Sequence, residues 1–145
     1  MKYKKFVEAN IEDLQLDPFN DRLPESRHHK SEKDIIEWML SDSNFFDLIA
    51  SIGTHDFYPG APLLVIESEQ PGKYIVIVGN RRAASCKILN NPELANVKYK
   101  RINNRIGEFK MEYAPQVLPA FVFYKREDIL IDLDYDPGPN LLRSF

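Results

Sequence analysis

The sequence predicts a small α/β (α+β) domain, a mixed sheet with flanking helices. Three observations carry that prediction. Two short β-branched runs, "LLVIES" and "KYIVIVG", are joined by a Pro-Gly turn; two helical patterns precede them; and a third helix opens directly at the end of the second run. With 145 residues, the chain can bury one real core and has little room for a second. Residues 1–145 therefore read as a single domain, with 135–145 as a tail or the start of a further region.

The elements follow in order. "KKFVEANIEDLQLD" spaces Phe6, Val7, Ile11, Leu14 and Leu16 in a loose extended pattern, a first strand or two. "DPFNDRLPESRHHK" is a loop by its Pro, Asn and charge. In "SEKDIIEWMLSD" Ser31 is the expected cap, and Ile35, Ile36, Met39 and Leu40 form an apolar helical face. "NFFDLIASIG" repeats the logic: Asn44 caps, Phe45, Leu48, Ile49 and Ile52 fall at helical spacing, and Gly53 ends it. The Pro71-Gly72 pair makes 63–78 a β-hairpin. Residues 80–90 are helical, stopped by Asn90-Asn91-Pro92. The stretch 93–116 reads as a short helix plus an irregular excursion. "LPAFVFY" is another strand and "REDILIDLD" a last helix.

Composition bounds the function. Hydrophobic residues are 43% and charged residues 28%, a globular balance rather than a disordered one. The formal net charge is −3, so nucleic-acid binding has to come from a local patch. One cysteine, Cys86, excludes an internal disulfide and a cysteine-only zinc site, and it suits a reducing compartment. No apolar run nears the ~20 residues of a membrane span. The basic start "MKYKKFVEAN" lacks the apolar middle of an export signal. The expected setting is cytoplasmic, with no membrane partner.

The junction "KYIVIVGNRRAASCKIL" carries the chemistry. A helix opens with unpartnered backbone N–H groups and partial positive charge. Gly79 permits close backbone approach, Asn80 is placed to cap, and Arg81 and Arg82 add planar forks suited to phosphate oxygens. Together they describe a site for phosphate or another compact anion. The plainer reading makes both arginines surface charges, although cations at a helix start are mildly unfavourable and need compensation.

Read in order, "LDPFNDR", "FFDLIASIGTHDFYPGAPLLVIES" and "KYIVIVGNRRAASCKIL" resemble the N-terminal domain of the ParB family, which shares a fold with sulfiredoxin. The resemblance covers residues 11–90 best. The box Gly79-Asn80-Arg81-Arg82, backed by Ala83 and Ala84, is similar to that of stand-alone ParB-like nuclease domain proteins. "LPAFVFYKREDILIDL" is similar, less specifically, to the family's later strand and helix. The resemblance implies nucleotide binding, with CTP or ATP as cofactor and Mg²⁺ as its companion. It puts Gly79, Arg81 and Arg82 at the phosphates, Asn20 and Arg22 beside them, and residues 56–62 in a bordering loop. DNA, and a homodimer or a larger multidomain context, stay open as further partners.

The departures matter equally. Asn80 stands where the family usually has Glu. The second nucleotide motif, of Glu-Asn-x-x-Arg type, is absent, and "KRED" at 125–128 only echoes it. No helix-turn-helix follows. Sulfiredoxin's nucleophilic cysteine sits inside its box, whereas Cys86 lies about two turns into this helix and reads as a small core side chain. His55, Asp56 and Asn80 are weak catalytic candidates, and no residue stands out as a general base. His28 and His29 form no recognisable metal set. Lys98, Lys100, Arg101 and Arg105, interleaved with Tyr99 and Phe109, could meet nucleic acid or simply solvate a helix face. Trp38 reads as core. Three outcomes stay open: a nucleotide-dependent or nuclease-like module of bacterial or phage DNA metabolism or defence, a small-molecule phosphotransferase, and a degenerate nucleotide-binding regulatory domain.

Overall fold

A computed structural model of the chain describes residues 3–19, 31–98, 104 and 111–129. Five strands form one sheet: β1 (Lys5–Asn10), β2 (Leu14–Leu16), β3 (Leu63–Glu67), β4 (Tyr74–Val78) and β5 (Val117–Phe123). Their spatial order is β1-β5-β3-β4-β2. The β1–β5 and β3–β4 pairs are antiparallel, whereas β3–β5 and β2–β4 are parallel. The sheet is therefore mixed, as the sequence predicts, and the expected hairpin is β3–β4.

Among the described residues three helices are bounded at both ends: α1 (Glu32–Met39), α2 (Ser43–His55) and α3 (Asn80–Asn90). Residues 126–129 are also helical, where the sequence predicts a last helix whose remainder lies outside the described residues. A 3-10 segment, Pro92–Lys98, follows α3. Ile35, Ile36, Phe45, Ile49, Ala83, Ala84 and Ile88 from the helices join Leu14, Leu63, Val65, Val76, Leu118 and Val122 from the strands in one buried cluster. Trp38 packs against that cluster from its edge, and Cys86 is fully buried, both as the sequence suggests.

Two helix boundaries correct the sequence reading. Ser31 does cap α1, accepting from the Asp34 amide. The cap of α2 is Asp42, which accepts from the Asn44 amide at 2.9 Å. Both residues suit an N-cap, so the pattern alone misplaces the start by two positions. Gly53 does not end α2, which runs on to His55. Its role is close packing: a Cβ there would lie 2.5 Å from Met111 Sδ, and its carbonyl accepts from the amides of Glu112 and Tyr113. The returning chain before β5 thus lies directly on the helix.

Candidate functional site

The site is assembled where β4 turns into α3. Gly79 sits at φ +104°, a left-handed conformation, and provides no side-chain cap. A Cβ at this position would lie 2.4 Å from Leu63 Cδ2 and 2.8 Å from Arg82 Nη2. Both its torsion and its neighbours therefore demand glycine.

Asn80 does not cap the helix, which corrects its expected role. It is buried as the first residue of α3. Its Oδ1 accepts from the Asp17 amide at 2.9 Å, and its Nδ2 donates to the Val76 carbonyl at 2.8 Å. One side chain thereby ties the end of β2 to β4 and the start of α3. A glutamate could not donate to Val76, so asparagine here serves the scaffold.

Asp17, also buried, extends this cluster. Its carboxylate receives both arms of Arg126, at 2.5 and 2.8 Å, and the Phe19 amide at 3.0 Å. The Arg126 guanidinium lies 5.9 Å from the Phe19 ring. "KRED" is thus brought to the base of α3 from the far end of the chain. The sequence reading missed Asp17 and saw Arg126 only within that faint echo, because nothing local announces a pair so distant along the chain.

Arg81 and Arg82 diverge, and neither fork stands free in solvent. Arg81 Nη1 pairs with Asp42 Oδ2 at 3.0 Å, and its guanidinium lies 5.5 Å from the Phe45 ring. Asp42 titrates lower than an ordinary aspartate, first because the Asn44 amide donates to it and then because Arg81 does. Arg82 turns to the loop of residues 56–62. Its Nη1 donates to the Ala61 carbonyl, and its guanidinium lies 5.0 Å from the Phe57 ring.

Arg82 is only 3% exposed, yet its Nε and Nη2 have no hydrogen-bond partner; among the described residues no other buried side-chain nitrogen or oxygen lacks one. Burial pushes its pKa down to about 10, so it remains cationic at neutral pH. Cys86, one turn along α3, is pushed up to about 12 by the same burial, against the opposing effect of Arg82. That thiol is protonated at neutral pH and unsuited to nucleophilic work.

His55 and Asp56 both lie on the surface where α2 ends. Asp56 has φ 73° and ψ 171°, a region nearly reserved for glycine, which costs roughly 1–3 kcal/mol. Its Oδ1 accepts from the Phe57 amide at 2.8 Å. The strained residue thus begins the loop that holds Arg82. Among the described residues no group of three or more His, Cys, Asp or Glu is placed to share a metal ion. Asn20, Arg22, His28, His29, Lys100, Arg101 and Arg105 lie outside the described residues, as does the side chain of Lys98. Among the described residues no helix is long and apolar enough to cross a membrane.

The architecture defines a class, the ParB-like α/β fold. Among solved structures the chain is similar to the C-terminally truncated chromosome-partitioning protein ParB from Caulobacter crescentus, complexed with CTP-γ-S. The TM-score is 0.51 at 18% identity, over 90% of this chain and 50% of that one. The chain therefore spans about half the length of that structure. No protein-family model matches the sequence, and no curated protein does.

Proposed function

We propose that this domain binds a nucleoside triphosphate at the start of α3, with CTP and ATP as the leading candidates. The observation that carries the reading is Arg82: a buried, charged guanidinium with two orphan nitrogens, against a glycine at φ +104°. Such donors are costly to leave unmade and call for an acceptor. Phosphate oxygens at a helix start supply acceptors of the right charge. An anion reaching Nε and Nη2 has to shift the 56–62 loop, since both atoms are enclosed. Arg81 adds a second cation on the opposite flank once it releases Asp42. Support also comes from the CTP-γ-S complex of the structurally similar ParB. Mg²⁺ would arrive on the triphosphate and retain most of its waters, so it needs few protein ligands.

The biological role we infer is a nucleotide-dependent module of DNA metabolism or defence in bacteria or phage, with DNA as a further partner. A second reading, a regulatory domain that binds nucleotide without turnover, is favoured by Asn80. That residue offers no carboxylate and spends its amide on main chain. A thermal-shift panel of CTP, ATP, GTP and their diphosphates, with and without Mg²⁺, tests binding. A ligand at a hundred times its dissociation constant adds about 2.7 kcal/mol. No shift with any triphosphate ends the proposal, and binding without phosphate release selects the regulatory reading.

A further inference from the structure

The last turn of α2 is pinned from two sides. The Gly53 carbonyl accepts from the amides of Glu112 and Tyr113 at 2.9 and 3.0 Å, and the Asp56 amide donates to the Ile52 carbonyl at 2.8 Å. One residue later Phe57 is buried in the main core cluster, with its ring against Arg82. Asp56 has to join these two fixed points, and among the described residues it is the only non-glycine at positive φ. A strained torsion persists only where its surroundings impose it, and here both neighbours do. Beyond Phe57 the loop is lightly held. Tyr58, Pro59 and Gly60 are exposed, and neither Pro59 nor Pro62 brings an amide hydrogen. The Ala61 amide reaches the Tyr58 carbonyl only at 3.4 Å. At the far end Ala61 is buried and gives its carbonyl to Arg82. The loop thus closes over Arg82 through the Phe57 ring and the Ala61 carbonyl, both on one guanidinium.

We propose that the 56–62 loop is a strained latch over Arg82, hinged at Asp56, whose opening gates access to the anion site. Opening exposes Phe57, which costs energy of the same order that relaxing Asp56 returns. The closed and open states therefore lie close in energy, as a two-state element requires. Closed, the latch encloses the two orphan nitrogens of Arg82. Open, it uncovers them and also releases Nη1 from the Ala61 carbonyl, so three donors become available together. An anion that takes those donors replaces both contacts that held the loop, and binding and opening reinforce one another. The gating role rests on the anion-binding reading of Arg82, whereas the strained hinge is a property of the ligand-free protein.

Chymotrypsin cleavage of the native full chain after Phe57, followed by mass spectrometry, tests both parts. That bond is cut only when the loop opens, so the rate follows the open population. Asp56→Gly and Asp56→Ala both remove the carboxylate, but only the alanine keeps the strain. Without any anion, Asp56→Ala should be cut about tenfold faster than Asp56→Gly. Cleavage after Phe45 and Phe123, both fully buried, reports global unfolding and should stay slow in each. Asp56→Asn, equally strained, replaces the alanine variant if that one fails to fold. Equal rates in the strained and glycine variants overturn the hinge. Sodium tripolyphosphate should then speed cleavage after Phe57 in the parent protein, the reverse of ordinary ligand protection. Slower or unchanged cleavage, with binding seen by calorimetry, overturns the gate. Calorimetry showing no tripolyphosphate binding would sink the nucleotide reading instead, and a tenfold difference between the variants would still uphold the hinge.

Discussion

Two buried polar clusters meet at the start of α3, and they are built on opposite terms. Beneath the helix, Asp17, Asn80 and Arg126 satisfy one another and the nearby main chain. On the flank, Arg82 is just as enclosed, yet two of its nitrogens have no partner. A network that closes on itself has its reason in the fold. An orphaned guanidinium costs about 1–3 kcal/mol, and its reason has to lie outside the fold. The contrast divides one four-residue box: Asn80 belongs to the scaffold, and Arg82 is the residue left open for an anion.

The largest effects are expected where the closed cluster is broken. Asp17→Ala removes the acceptor of both Arg126 arms and of the Phe19 amide and should cost about 3 kcal/mol, the upper end for hydrogen bonds to a charged group. Urea denaturation measures it, and a loss under 1 kcal/mol would show that the cluster is not structural. Next comes Gly79→Ala. The left-handed torsion costs roughly 1–2 kcal/mol, and crowding against Leu63 adds about 1 kcal/mol more. A drop of about 2–3 kcal/mol in the same assay, with tertiary contacts around Arg82 disturbed, is the expected result.

Arg82→Met sharpens the contrast from the other side. It loses the contact with Ala61 but also removes the orphan donors, so its net effect on stability should stay within about 1 kcal/mol. The nucleotide-induced thermal shift should nevertheless disappear. A stability loss matching that of Asp17→Ala would instead make Arg82 part of the scaffold. Its alkaline behaviour is also specific. Cys86 has a folded pKa of about 12 against a reference of 9.0. Above pH 9 the unfolded chain therefore sheds that proton first, and stability falls by up to about 1.4 kcal/mol per pH unit. Arg82 runs the opposite way, with a folded value of about 10 against 12.5. From pH 10 the unfolded chain holds that proton longer, and the decline is offset. Arg82→Met should therefore continue losing stability between pH 10 and 12 where the parent protein levels off.

These roles were unevenly legible in the sequence. Periodicity located α1, α2 and the β3–β4 hairpin, because each buries a face set by neighbours in the chain. By contrast, α3 is buried on nearly every side and was legible from its glycine start and its Asn-Asn-Pro stop. The box at 79–82 stood out because glycine and paired arginines interrupt an apolar pattern. Its division of labour did not. Whether Asn80 caps or braces depends on Asp17, which lies 63 residues away, and Arg82 is held by a carbonyl, which leaves no trace in residue identity. Arg126 joins Asp17 across 109 residues, beyond any local pattern. The start of α2 shows a finer limit: Asp42 and Asn44 are both good caps, and tertiary pairing with Arg81 accompanies the one that is used.

The smallest structural effect belongs to Arg81, and it tests how far the open cluster extends. Its partner Asp42 is 42% exposed on the side chain, against 20% for Arg81. An ion pair so accessible to water is worth about 0.5 kcal/mol, and Phe45 keeps its core contacts without the guanidinium. Arg81→Ala should therefore shift the thermal midpoint by no more than about 2 °C. If phosphate draws Arg81 away from Asp42, the same substitution should weaken triphosphate binding by about tenfold, one charge-assisted hydrogen bond's worth. Titration calorimetry on Arg81→Ala and Asp42→Asn separates the cases. The Asn variant keeps an oxygen to cap α2 and releases Arg81, so it should bind more tightly than the parent. Unchanged affinity in both would confine the anion to the Arg82 flank and leave Arg81 as a surface brace between two helix starts.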